Sequence, residues 1–251
     1  MRRLAITGVI MLVAAVWPFP ASAQTPFTWG GVYVGPDFAA GFRQLTFTVA
    51  DGAQGPLAQP VVGPVQPGRS IGVRAGVLFS LGDRIVVGGD VAVHYVDYFG
   101  DTYYGSASDT RALTGGGNGW TALVRAGYPI GELLPYVGVG LITIPNTTHV
   151  LDGCNTPPCD TSLGEGAGTL TSRRLMYVVG GELAITERFL GAAWTVRAEW
   201  AHIDQEPMVN TFMRTMTGSG VSPGTTVPVT ISTPMPSGVI RALLSVRLGR
   251  R

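Results

Sequence analysis

Gly238-Val239-Ile240-Arg241-Ala242-Leu243-Leu244-Ser245-Val246-Arg247-Leu248 decides the fold class of this 251-residue chain. As a helix it brings Arg241 and Arg247 to no common face. As a strand, its side chains alternate between two faces. Ile240, Ala242, Leu244, Val246 and Leu248 form an entirely apolar face. Val239, Arg241, Leu243, Ser245 and Arg247 form a mixed face that is twice charged. A strand with one apolar and one charged face, placed at the end of an exported chain, fits the closing strand of a transmembrane β-barrel. That reading requires further strands of the same kind upstream, and a first strand for this one to pair with.

Working outward, the same alternation recurs. Trp29 to Val49 is the first candidate, with Val32, Val34, Phe38, Ala40 and Phe42 opposite Tyr33, Asp37 and Arg43. Pro36 interrupts its ladder and belongs at an edge or bulge. Ser70–Leu81, Arg84–Tyr98, Asn118–Tyr128, Pro135–Ile144, Thr171–Thr186 and Ala193–Asp204 follow, and with Gly238–Leu248 they make eight. Gly138 and Gly140, on the inward side of the fifth, leave room for a large neighbour. Long stretches (51–69, 99–117, 145–170 and 205–236) read as loops and alternate with short turns at 82–83, 129–134 and 187–192. Long loops at one end and short turns at the other are the asymmetry of an outer-membrane barrel, outside and periplasmic respectively. The expected fold is all-β, an eight-stranded antiparallel up-and-down transmembrane barrel.

The charges supply the second argument. Asp37, Arg43, Arg74, Asp90, Arg125, Glu182, Arg197, Glu199, Arg241 and Arg247 all fall opposite the apolar face of their strand. An arginine facing lipid at the bilayer midplane costs about 2–4 kcal/mol, so this sorting has a physical cause. An eight-stranded barrel is only wide enough inside for side chains to fill it. These ten residues are therefore expected to pair across the lumen and hold it shut. A narrow ion path is the competing reading of the same set. Trp29, Tyr95, Tyr128, Tyr177, Trp194 and Trp200 are candidates for the aromatic girdles at the membrane surfaces.

Composition bounds the rest. Charged residues are 13% and apolar ones 45%, which excludes a disordered chain. The net charge of +1 gives no basic face for nucleic acid. Residues 1–23 read as a signal peptide: Arg2 and Arg3, an apolar run from Leu4 to Val16, then the small-residue site Ala21-Ser22-Ala23. Cleavage after Ala23 leaves residues 24–251 as the barrel domain. No later run is long enough for a membrane helix. Cys154 and Cys159 flank Asn-Thr-Pro-Pro in an exported loop and are expected to form a disulfide. Metal or cofactor binding has no support, since the cysteine spacing is not that of a zinc site and no nucleotide fingerprint occurs. His94 shares a face with Asp90, but spacing places no serine beside them, and no nucleophile motif is present. No enzymatic activity is expected.

Three further passages carry a resemblance. Trp29-Gly30-Gly31-Val32-Tyr33-Val34-Gly35 resembles the W-x-G-x-Y-x-G opening of small OmpA-like outer-membrane barrels, in particular the alphaproteobacterial porin-family surface antigens. Pro135-Tyr136-Val137-Gly138-Val139-Gly140 resembles their fifth-strand P-Y-x-x-x-G. Gly180-Gly181-Glu182 and Arg197-Ala198-Glu199-Trp200 resemble their paired G-x-E and R-x-E-Y, with Trp200 in the aromatic place. The resemblance implies an eight-stranded barrel with both termini in the periplasm, in contact with outer-membrane lipid and lipopolysaccharide and inserted by the barrel-assembly machinery. Such chains usually finish on an aromatic residue that this machinery recognises. Here Leu248 is followed by Gly249-Arg250-Arg251, an atypical signal. The expected role is structural or surface-exposed, with a loop partner that the loops do not name. A narrow channel for small solutes or ions is the first alternative, and a secreted ligand-binding barrel the second.

Overall fold

The structure, a computed structural model, describes residues 27–41, 45–52, 61–82, 84–104, 110–152, 166–189, 192–204, 206–215, 224–235 and 237–248. The expected leader, Arg43 and both cysteines lie outside the described residues. Twelve antiparallel strands are described: β1 (Gly31–Gly41), β2 (Leu45–Asp51), β3 (Val61–Val65), β4 (Arg69–Leu81), β5 (Ile85–Tyr104), β6 (Thr110–Gly127), β7 (Leu133–Asp152), β8 (Gly166–Phe189), β9 (Ala192–Ile203), β10 (Met208–Thr215), β11 (Thr226–Thr233) and β12 (Gly238–Leu248).

Eight of them close a ring, in the order β1-β4-β5-β6-β7-β8-β9-β12 and back to β1. The closing pair is the last strand on the first, with Val34 opposite Val246 and Ala39 opposite Arg241. Closure leaves no sheet edge in the ring, so its backbone groups find partners between strands. Pro36 sits where the β1–β12 ladder is interrupted, between Val34↔Val246 and Asp37↔Leu243. Its missing N–H therefore costs little. Gly82, at the β4–β5 turn, adopts φ 65°, which glycine enters without steric cost.

The outer face of the ring is apolar. Leu175, Tyr177, Val179, Leu183 and Ile185 on β8 are exposed, as are Ile240, Leu244 and Leu248 on β12. From Leu175 to Ile185 is the length of about 9–11 residues that a tilted strand needs to cross hydrocarbon. Yet β8 has 24 residues, and β5 and β7 have 20 each. At about 3.3 Å per residue, these strands run far beyond a membrane.

The excess builds a second storey, which corrects the reading of four long loops. Residues 99–104, 110–117, 145–152 and 166–170 continue β5 to β8. The stretch 51–69 holds the end of β2 and all of β3, and 205–236 holds β10 and β11. The expected first strand, 29–49, is two strands, β1 and β2. The four added strands form a sheet, β10-β11-β2-β3, that joins β5 through Val65↔Gly100. On the other side β10 lies against the upper part of β8, where Gly166 and Gly168 leave room for Phe212 and Asn210. In this storey the polarity is reversed. Phe47, Val49, Val65, Tyr104, Ala112, Val150, Val229 and Ile231 pack inside as one core. The outer face of β8 changes from Leu175 and Tyr177 to Ala167, Thr169, Thr171 and Arg173. Apolar inside and polar outside is the arrangement for water, not lipid. The turn expected at 187–192 is also shorter, because β8 extends to Phe189 and β9 begins at Ala192.

Candidate functional site: a charge network across the lumen

Each strand of the ring sends at least one polar side chain into one connected, buried network. β1 gives Tyr33 and Asp37, β4 Arg74, β5 Asp90, β6 Arg125, β7 Tyr136, β8 Glu182, β9 Thr195, Arg197 and Glu199, and β12 Arg241 and Arg247. Strand pleating explains the placement, since residues of one parity on every strand face the lumen.

Asp37 Oδ2 accepts from Arg74 Nη2 and from Arg241 Nη2, both at 2.8 Å. Arg74 Nη1 donates to Asp90 Oδ1 at 2.6 Å. The other oxygen of Asp90 accepts from Tyr33 Oη at 2.6 Å and from Arg197 Nη1 at 3.3 Å. Glu199 accepts from Tyr136 Oη at 2.6 Å and lies 3.4 Å from Arg241 Nη1. Glu182 accepts from Arg125, Arg247 and Thr195, each at 2.7 Å. Arg247 also donates to the Trp29 carbonyl at 2.6 Å. The guanidinium carbons of Arg125 and Arg197 lie over the rings of both Tyr33 and Tyr136, 4.7–5.8 Å from the centroids. Planar guanidinium forks suit this task, because they pair with carboxylates and stack on aromatic faces at once.

Nine of the ten residues singled out from the sequence meet here, and the tenth, Arg43, lies outside the described residues. The sequence reading did not single out Tyr33, Tyr136 and Thr195. Tyr33 and Tyr136 share the parity of the inward positions, and inward glycines make space for them. A Cβ at Gly76 would meet the Tyr33 hydroxyl and one at Gly180 the Tyr136 hydroxyl, at 2.6 and 2.7 Å. Trp29 is a correction. It is 3% exposed, packed inward against Phe27 and Arg247, and so is not a girdle residue. Tyr95, Tyr128, Tyr177 and Trp200 are exposed on the outer face, while Trp194 is half-buried.

A second buried cluster fixes the upper storey. Asp51 Oδ2 on β2 accepts from Arg214 Nη1 on β10 and from Tyr104 Oη on β5, both at 2.6 Å. Burial, reinforced by the hydrogen bond to Asp51, raises the Tyr104 phenol above its ordinary value. Lower down, Asn146 Oδ1 accepts from Tyr98 and Thr114 at 2.9 and 2.7 Å, which joins β5, β6 and β7. Among the described residues no group of His, Cys, Asp and Glu could hold a metal ion. His94 hydrogen bonds to no serine and no carboxylate among them.

A closed antiparallel ring with a lipid-facing apolar band and a charged, internally paired interior is a transmembrane β-barrel protein. The chain matches the profile of the outer membrane protein β-barrel domain over residues 10–222, and it belongs to that family. Its place is therefore the bacterial outer membrane. No curated protein matches it. Among solved structures it is similar to the outer membrane protein OprG from Pseudomonas aeruginosa, with 17% identity over 88% of this chain and 97% of that one, and a TM-score of 0.44. A major outer membrane protein from Thermus thermophilus shares 13% identity over 86% and 99%, with a TM-score of 0.42. Ail, the attachment invasion locus protein of Yersinia pestis, shares 9% over 87% and 99%, with a TM-score of 0.38.

Proposed function

We propose that this protein is a closed outer-membrane barrel whose work is done at the cell surface by its upper storey, the lumen being held shut by the charge network. The observation that carries this reading is that all eight ring strands contribute to one network of buried, mutually bonded side chains. A conducting path needs charges that a passing ion can borrow. Here each carboxylate is already engaged through at least one oxygen by arginines or tyrosines at 2.6–2.8 Å. The upper storey is packed around its own core. It carries exposed apolar side chains, Val62, Tyr103, Val209 and Met213, of the kind that make contact surfaces. Outer-membrane lipid and lipopolysaccharide surround the lower ring, and the surface partner binds above them.

The test is conductance in planar lipid bilayers. Folded wild-type protein should give no steady current steps. Arg197→Ala removes the 3.3 Å contact to Asp90 and the stacking on Tyr33 and Tyr136. It should lower the thermal midpoint and admit intermittent current. Regular current steps from the wild-type protein would overturn the closed-lumen reading.

A further inference from the structure

The upper storey closes on one side without a ladder. β7 and β8 pair without a break from Val150↔Gly166 to Leu133↔Leu183, and β10 pairs with β11 along its whole length. On the other edge of β8 the last backbone bond is Asp204 N–H to the Leu175 carbonyl, at 3.1 Å. Above it, no backbone hydrogen bond joins β8 to β10 among the described residues. Pro207, which lacks an N–H, stands just below β10, where that ladder would continue. Yet the strands lie side by side: a Cβ on Gly166 would come within 3.2 Å of the Arg214 Cα.

Side chains make this junction. At its lower end Arg174 donates to the Glu206 carboxylate at 2.8 Å and to the Glu206 carbonyl at 3.1 Å, in an exposed position. Midway, Asn210 Nδ2 donates to Thr148 Oγ1 at 2.9 Å, and the Phe212 ring lies against Gly166 and Gly168. At the upper end Arg214 is held by Asp51, at 2.6 Å and buried. The seam is thus fixed firmly at the top and loosely below. Its lower end is also a wall of a cavity of about 90 Å³ between the storeys, lined there by Met176 of β8, Met208 of β10 and Met235. On the outer face β8 presents Arg173, Thr171 and Thr169 at this height, so the seam meets water, not lipid.

We propose that the seam between β8 and β10 is a side gate to this cavity. The lower part of β10 swings away from β8 about its Arg214 end, and the cavity opens to water above the membrane. Opening here breaks a few side-chain contacts, whereas parting β10 from β11 or β7 from β8 breaks a whole ladder. Local openings follow the least costly contacts. The joint between β3 and β5 is also thin, with Val65↔Gly100 and the bond from Gln66 N–H to the Phe99 carbonyl. Behind that joint, however, the buried Phe47 packs against both Gly63 and Gly100. The gate does not depend on the lumen being closed, since it lies above the charge network.

Native methionines report the gate in full-length protein folded in lipid nanodiscs. Met176, Met208 and Met235 line the cavity and are buried, while Met213 on β10 is exposed. The probe is tert-butyl hydroperoxide, whose bulk keeps it out of a closed interior, and mass spectrometry reads the sulfoxide at each residue. Met213 should oxidise at once, and the three cavity methionines slowly, at rates set by how often the gate is open. Arg174→Ala and Asn210→Ala each remove bonds that hold the seam. Each should raise those three rates about tenfold, the worth of one hydrogen bond, and by more than any fall in the urea midpoint accounts for. Thr169→Cys with Thr211→Cys locks the seam when oxidised, in a chain with Cys154 and Cys159 changed to serine. These exposed positions face one another in the register that joins Arg174 to Glu206 and Gly166 to Arg214. The lock should slow the three rates about tenfold or more, and the same variant with capped thiols should oxidise like the wild type. Equal rates in locked and capped protein would overturn the proposal, because the reagent then enters elsewhere. So would cavity methionines that never oxidise in folded protein, or rates that track global unfolding in every variant.

Discussion

Glu182→Gln is the sharpest probe of the charge network. The change keeps the shape of the side chain and removes one charge. Glu182 is the only carboxylate that Arg247 meets among the described residues, at 2.7 Å. Arg125 also meets Glu182 at 2.7 Å, and its next carboxylate, Asp90, is 3.7 Å away. Five described arginines of the network would then face three carboxylates instead of four. Stripping the partner from a buried charge costs about 3–5 kcal/mol. The glutamine carbonyl can still accept one hydrogen bond, worth about 1 kcal/mol, so the expected loss is about 2–4 kcal/mol. Urea unfolding of lipid-folded protein, followed by tryptophan fluorescence and by gel migration without heating, measures it. Glu206→Gln is the control. It breaks an ion pair of similar length, 2.8 Å to Arg174, whose glutamate is 72% exposed, and such pairs contribute about 0–1 kcal/mol. Arg247→Met should cost less in the Glu182→Gln background than in the wild type, because the two act through one contact. Equal losses for Glu182→Gln and Glu206→Gln would refute the network as a stabilising element.

Two other expectations concern the upper storey. Tyr104→Phe removes a donor from Asp51 and should destabilise that storey by about 1–3 kcal/mol. Hydrogen exchange should speed up in β2, β10 and the tip of β5, with the lower ring unchanged. Because the Tyr104 phenol is raised in the folded state, its contribution is whole below pH of about 10 and declines as the pH rises above it. Alkaline titration at 295 nm should find the buried tyrosines ionising well after the exposed ones, and Tyr104→Phe should lower the amplitude of that late step by one tyrosine. Cys154 and Cys159 should resist alkylation until the protein is reduced.

The lower ring was legible because lipid imposes an unusual pattern. Every strand there needs an apolar outward face, and each charge must turn the other way. Arg74, Arg125 and Arg197 are therefore separated from Val73, Val124 and Val196 by simple alternation. The upper storey escaped the same test because its outward face meets water. Thr46 and Thr48 are on the outer side of β2, while Phe47 and Val49 are fully buried. A search for apolar outward faces does not separate such a strand from β1, and Pro64 and Pro228 make the strands beside it look like loop. Trp29 misled for a different reason. An aromatic residue at a strand end suits a girdle or a plug equally well, and the packing of its buried ring against Phe27 and Arg247 decides between them. Tyr33 and Tyr136 were legible in parity but not in partner, because contacts across a lumen depend on register and shear, which spacing along one strand does not contain.

The level at which the outer face changes is also the level at which the barrel wall changes. β5, β6, β7 and β8 pass through it as continuous strands, with register shifts only at Val96/Phe99 and Gly115/Thr121. β1, β4, β9 and β12 stop there, and β2, β3, β10 and β11 resume the climb. One half of the wall is a rigid spine, while the other half is interrupted at the height of an internal cavity lined by Ile144, Met176 and Met235. The break is bridged by separate bonds, such as Gly41 N–H to the Gly68 carbonyl at 2.8 Å and Gln66 N–H to the Phe99 carbonyl at 2.9 Å. Motion between the storeys must concentrate in the interrupted half, because bending the spine breaks whole ladders and shifting the joints breaks a few bonds. The two buried clusters hold the storeys separately: Glu182, Asp90 and Asp37 with their arginines below, and Asp51 with Tyr104 and Arg214 above. A cavity between two stiff bodies that share one continuous wall can widen without unfolding either.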